Sequence, residues 1–252
     1  MMVYAVLLMA HYERRIRPTL LLCAEQKDSA AVSQGAIFNA AGYPVILASA
    51  HDINHHLQNT AFDVAVLNHT LPFLARERLA RQIKALSPGL GVLVLHASGA
   101  LGNPYADIAV DSRLGPTAIL LGLKRVEMMQ WVARTHAHAE DEYLVVVDEN
   151  RNYVFASDAA CRLLGYDRVQ FLELRIDDVV AGASSVAQPL FDRFVHDREQ
   201  QGSIVLRHRS GRLIPVHYDA EVVPDGSLLA RWTLIEDASG SREPESDQGV
   251  KS

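Results

Sequence analysis

The sequence predicts two unlike domains in one chain: an α/β doubly wound parallel sheet, then an α+β domain on an antiparallel five-stranded sheet. Two observations carry this. Up to about residue 123, short apolar runs alternate with amphipathic helices, the rhythm of strand–helix–strand crossovers. From about residue 140 the pattern changes to hairpins with polar turns at Glu149-Asn150-Arg151-Asn152, Arg209-Ser210-Gly211-Arg212 and Pro224-Asp225-Gly226. The length of 252 residues suits one or two domains at roughly 100–200 residues each.

In the first domain, Thr19–Cys23 predicts a strand and Ser29–Ala41 a helix ended by Gly42. Val45–Ala48 is a second strand, Asp52–Gln58 a short helix and Asp63–Leu67 a third strand. Arg76–Leu86 predicts a helix stopped by Ser87-Pro88-Gly89. Gly91–Leu95 and Ile108–Val110 supply the last two strands, and Pro116 opens a new helix. Strands this short and uniformly apolar belong to a parallel sheet covered on both faces. A chemical site in such a sheet lies at the carboxyl ends of its strands. The residues there are Cys23-Ala24-Glu25, Asn68-His69, His96-Ala97 and Asp111-Ser112.

Over roughly the first hundred of these residues the chain resembles the receiver domain of response regulators. The likeness rests on Asp63-Val-Ala-Val-Leu-Asn68-His-Thr-Leu71-Pro72, on Gly42-Tyr43 before the second strand and on Ala106-Asp107 before the fifth. It implies a flavodoxin-like fold and a phosphorylation site at the strand ends. The chemical positions depart from that pattern. Asn68 stands where the family has its carboxylate nucleophile, and a neutral amide cannot form an acyl phosphate. Cys23 and Ala24 stand in place of the acidic pair that would hold Mg²⁺, with Glu25 beside them. His96 replaces the family's hydroxyl residue, Ser112 its lysine and Arg113 the following proline. The resemblance therefore implies a pseudo-receiver that works by binding a partner; a dimerisation scaffold is the alternative.

Pro116 to about Glu142 reads as one helix joining the domains. Ile119, Leu123, Val126, Gln130, Ala133 and Ala137 form a short a/d seam suited to a parallel dimer. In the second domain, Tyr143–Asp148 and Tyr153–Ala156 form a hairpin, and Ser157-Asp158 caps a helix that ends at Gly165. Gln188–Gln200 predicts the longest helix, and Ser203–Arg207, Leu213–Val222 and Leu228–Ile235 predict the closing strands.

This half resembles a PAS domain. The carriers are Leu144-Val-Val-Val-Asp-Glu-Asn-Arg-Asn-Tyr-Val-Phe155, Ala159-Ala-Cys-Arg-Leu-Leu-Gly-Tyr166, His208-Arg-Ser-Gly-Arg-Leu-Ile-Pro-Val216 and Thr233-Leu-Ile-Glu-Asp237. Ser157 departs from the asparagine many members carry there. The resemblance implies either a haem, flavin or metabolite between sheet and helices, or dimerisation with nothing bound. No cofactor is predicted. Cys161 lies outside the Asn-Cys motif of light-sensing flavin domains and reads as a buried thiol. His196 is the one candidate haem ligand, though Asp197, Arg198 and Glu199 beside it favour a solvated helix end.

The expected organisation is an extension at 1–16, a pseudo-receiver at 17–123, a connecting helix at 116–141, a PAS domain at 140–237 and a disordered tail at 238–252. A net charge of −6 gives no reason to expect nucleic acid, and no DNA-reading helix follows the second domain. Two distant cysteines fit a reducing cytosol, hence a cytoplasmic protein. The apolar run Met1–Ala10 is about half a membrane span, so it predicts a packed segment, with an interfacial anchor as the alternative. His51 and His55 share a helical face beside His56, but a metal site needs further ligands, so none is expected. Gly99-Ala100-Leu101-Gly102 has the wrong spacing for a phosphate loop, and no Gly-x-Ser-x-Gly hydrolase motif occurs. The expected protein is a non-catalytic signalling regulator, homodimeric, that meets a histidine kinase or another signalling protein. The alternative is a ligand-bearing sensor whose pseudo-receiver is the output surface.

Overall fold

Strands β1 (Leu20–Ala24), β2 (Val45–Ser49), β3 (Val64–Leu67), β4 (Gly91–His96) and β5 (Ile108–Asp111) pair in parallel in the order β2-β1-β3-β4-β5. The structure is a computed structural model that describes residues 18–25, 28–97, 103–136, 141–182, 199–223 and 225–235. The chain divides into two units, Met1–Ala139 and Glu140–Ser252.

Alternation along the strands splits the first core in two. Leu21, Cys23, Ala65, Leu67, Val92 and Val94 face Ile53 of α2 (Ile53–Asn59) and Leu79, Ala80 and Ile83 of α3 (Phe73–Leu86). Leu20, Leu22, Val64, Val66, Leu93 and Leu95 face Phe38 of α1 (Ser29–Ala40) and Ile119, Leu123 and Val126 of α4 (Pro116–Thr135). Both faces are covered, which is why the strands read as unbroken apolar runs. Helix α3 starts at Phe73 rather than Arg76, with Pro72 as its N-cap residue.

The connection from β4 to β5 is short, and its described residues, 97 and 103–107, contain no helix. Ala109 of β5, on the side of α2 and α3, is exposed. Polar groups hold this edge instead. Asp107 Oδ2 accepts the Val92 amide at 2.7 Å and pairs with Lys84 Nζ at 2.6 Å. Lys84 also donates to the Leu90 carbonyl at 2.9 Å. The buried Arg76 donates through Nη1 to the Leu95 carbonyl at the end of β4.

Helix α4 differs from its sequence expectation in two ways. It stops at Thr135, where Thr135 Oγ1 back-bonds to the Trp131 carbonyl at 2.8 Å and His136 turns extended. Residues 137–140 lie outside the described part. The predicted dimer seam is also spent within its own unit: Ile119, Leu123 and Val126 pack on the sheet, and Gln130 donates to the Gly89 carbonyl at 2.8 Å. Contact with the sheet is close. A Cβ on Gly122 would lie 2.4 Å from Val110 Cγ2, and one on Gly91 would lie 2.4 Å from Val126 Cγ1.

The second unit holds an antiparallel sheet in the order β7-β6-β10-β9-β8. Its strands are β6 (Tyr143–Val147), β7 (Tyr153–Ala156), β8 (Glu199–Arg207), β9 (Leu213–Val222) and β10 (Leu228–Leu234). Glu199 and Gln200 open β8 instead of ending a helix, because β9 extends far enough to pair them with Glu221 and Ala220. The rest of that predicted helix, residues 188–198, lies outside the described residues, as do 1–17, 98–102 and 236–252. Helices α5 (Asp158–Leu164), α6 (Arg168–Leu172) and α7 (Ile176–Val179) pack on β6, β7 and β8 respectively. Tyr153 and Phe171 are fully buried between sheet and helices, their rings edge to face at 4.8 Å. Along β9, Ile214, Val216, Tyr218 and Ala220 point inward, while Leu213, His217, Asp219 and Glu221 point to solvent.

Ser157 ties the start of this unit together. Its buried hydroxyl donates to the Glu142 carbonyl at 2.6 Å. It accepts the Leu144 amide at 3.2 Å and, as the α5 cap, the Ala160 amide at 3.1 Å. One donor and two lone pairs are all in use. Gly165, with φ of 77°, closes the same helix in the left-handed region.

Two variants test these contacts. Gly122→Ala forces α4 off the sheet and is expected to cost about 1–3 kcal/mol. Ser157→Ala removes the α5 cap and the hydroxyl's bond to the Glu142 carbonyl, again costing about 1–3 kcal/mol. Urea denaturation reads both, and an unchanged midpoint in either variant refutes the corresponding contact.

Candidate functional site

The carboxyl ends of β1 and β3 lie side by side, and the Asn68 amide donates to the Cys23 carbonyl at 2.9 Å. Asn68 is fully buried. Its side-chain Nδ2 donates to Gln34 Oε1 of α1 at 2.7 Å, and its Oδ1 accepts the Thr70 amide at 3.0 Å. Gln34 Nε2 in turn lies 3.5 Å from His69 Nδ1. The Asn68 side chain is thus a closed amide link between sheet and helix. Both ends of the group are engaged, and neither is presented to solvent.

Cys23 and Ala24 are buried beside it, whereas Glu25 is exposed. Burial, aided by the Asp52 carboxylate, pushes the Cys23 thiol up to about 12. The group is therefore a neutral core side chain and not a thiolate ligand or nucleophile. His96 ends β4 and Ser112 follows β5; Ser112 Oγ donates to the His96 carbonyl at 3.0 Å. Arg113 folds back on its neighbour, with Nε 2.9 Å from Asp111 Oδ1. That bonded guanidinium holds the Asp111 carboxyl down at about 2. The predicted positions thus fall into two pairs of strand ends, β1 with β3 and β4 with β5, and Glu25 stands apart from both.

The sequence reading placed His69 at the strand ends but missed Gln34 and Thr70. The signal was present for Gln34: it shares the α1 stripe Ala31, Gln34, Gly35 and Phe38, at the spacing of a buried helical face. His196 lies outside the described residues. Cys161 is buried on α5, as expected for a structural thiol. Among the described residues no group of three or more His, Cys, Asp or Glu could hold a metal ion. No helix there is long and apolar enough to cross a membrane.

The raised thiol gives a pH dependence of known sign. Below the ordinary value of 9.0, Cys23 is neutral in both folded and unfolded chain and contributes no slope. Above it the unfolded chain ionises first, so stability falls as pH rises from 9.0 toward about 12. Cys23→Ala removes this part of the slope. Identical urea midpoints against pH in the two proteins across that range would show the thiol to be accessible.

Residues 140–237 match the family model for the PAS domain. No curated protein matches the sequence. Among solved structures, the chain is similar to a response regulator receiver domain protein from Methanospirillum hungatei at 19% identity and a TM-score of 0.41, covering 46% of this chain and 99% of that one. It is also similar to a domain of a sensory box sensor histidine kinase/response regulator from Geobacter sulfurreducens, at 23% identity and a TM-score of 0.38, covering 42% and 95%. A third is the PAS domain of an HTR-like protein from Haloarcula marismortui, at 18% and 0.38, covering 43% and 95%. The family match thus falls on the unit with the antiparallel order β7-β6-β10-β9-β8, and the unit before it has the flavodoxin-like parallel order β2-β1-β3-β4-β5.

Proposed function

We propose that this protein is a non-catalytic signalling regulator whose receiver-like unit works without phosphorylation, through protein contacts. The observation that carries the reading is Asn68. An amide stands at the nucleophile position, fully buried and bonded at both its Nδ2 and its Oδ1. The neighbouring strand end supports it, because Cys23 and Ala24 supply no oxygen side chain for Mg²⁺. Loss of the nucleophile alone is repaired by one substitution; loss of the metal ligands as well is not. In this reading the protein is cytoplasmic and homodimeric, and a histidine kinase or another signalling protein is its partner. The apolar seam of α4 is occupied by its own sheet, so the dimer would form through other surfaces.

The test is incubation with acetyl phosphate and Mg²⁺, read as intact mass. Neither the natural chain nor Asn68→Asp is expected to gain a phosphoryl group. Asn68→Asp together with Cys23→Asp and Ala24→Asp is expected to gain one if it folds, which thermal denaturation checks. Phosphorylation of the natural chain, or of Asn68→Asp alone, overturns the reading. A visible absorption spectrum of the same preparation addresses the PAS unit. A haem or flavin band would make that unit a cofactor-bearing sensor, with the receiver-like unit as its output surface.

A further inference from the structure

The ends of β1 and β2, the loop before α3 and the first two turns of that helix line an open pocket of about 430 Å³. It lies at the carboxyl ends of the strands, where doubly wound sheets take their ligands. Its volume falls within the roughly 300–1,000 Å³ range of small-molecule sites. Asn68 does not line it. The walls are apolar, made by Ala24, Ala50, Leu71, Pro72 and Ala75. Glu25, His51 and Arg78 bring the ionisable groups. None of these three side chains has a hydrogen-bond or ion-pair partner among the described residues. Ser49, also in the lining, is already engaged: Asp52 Oδ1 takes its amide at 2.6 Å and its hydroxyl at 3.0 Å. These two hydrogen bonds to one carboxylate oxygen fix the β2 end of the pocket.

The charge balance selects the ligand. One carboxylate faces one guanidinium and one imidazole, so a hard cation finds too few oxygen ligands here. Arg78 is a permanent cation whose planar fork matches the oxygens of a carboxylate or phosphate. We propose that this pocket binds a small organic molecule with a phosphate or carboxylate head, the head on Arg78 and an apolar body against Ala24, Leu71, Pro72 and Ala75. A ring N–H of His51 supplies a second donor to the head. The site goes beyond the proposed function and does not rest on it. A phosphoryl group on residue 68 and a ligand on Arg78 are separate readouts at separate places.

The probe is phenyl phosphate, titrated into the full chain with alanine methyl groups labelled for NMR. Signals of Ala24, Ala50 and Ala75 are expected to shift together and to saturate. Inorganic phosphate, which lacks the apolar body, and benzoate, which carries the other head, are titrated in parallel. Phenyl phosphate is expected to bind at least about tenfold more tightly than inorganic phosphate, since burying an apolar body adds to the head's contact. The ratio of phenyl phosphate to benzoate tells the two heads apart. Arg78 is exposed, so Arg78→Gln is expected to keep the fold, and to weaken phenyl phosphate about tenfold or more. The proposal is overturned if the three alanines do not move. It is equally overturned if inorganic phosphate binds as tightly as phenyl phosphate, or if Arg78→Gln leaves the affinity unchanged.

Discussion

A parallel sheet joined by crossover helices has to be buried on both faces, and most of the first unit follows from that constraint. Helices α1 and α4 cover one face of β1, β3 and β4, while α2 and α3 cover the other. The described residues of the β4–β5 connection, 97 and 103–107, add no helix to that cover. Small size and polar ties take over there: Ala109 is the exposed side chain, Asp107 holds Val92 and Lys84, and Arg76 reaches the Leu95 carbonyl. Arg76 bears a cost, because burial pulls its guanidinium below its ordinary basicity. Its bond to a strand-end carbonyl offsets part of that cost.

The same demand for satisfied burial explains the chemistry at the strand ends. The amide at residue 68 carries no charge to be balanced. It can be buried outright, and it finds its partners in Gln34 and the Thr70 amide. Cys23 beside it is equally content in an apolar setting, as its raised pKa shows. These strand ends are part of the packing between β1, β3 and α1. The open pocket next to it is a different space with a different lining.

Much of this was legible in the sequence. The strands β1, β3 and β4 declared themselves because two-sided burial leaves no polar position in them. Ser157 and Gly165 marked the ends of α5 because a cap needs a hydroxyl and a left-handed turn favours glycine. The misreadings have physical reasons too. Between Thr135 and Glu142 no proline or glycine signals a stop, so the end of α4 depends on a threonine back-bond that composition does not display. The start of β8 is the polar run Glu199-Gln200-Gln201-Gly202, which shows no alternation; its pairing with β9 decides it. Residue 68 was visible as an anomaly, but its partner Gln34 was hidden in an otherwise apolar helical stripe.

Gly122 gives α4 one seat on the sheet. A slide of one residue along the axis is a step of about 1.5 Å with a turn of about 100°. It would bring Leu121 or Leu123 to the spot above Val110 where even a methyl group is too large. Gly91 meets Val126 in the same close fashion one turn further along. The helix is therefore notched into β4 and β5 like a key in a ward, and it cannot ratchet along them. Any signal that passes along this chain has to do so without sliding α4 against its own sheet.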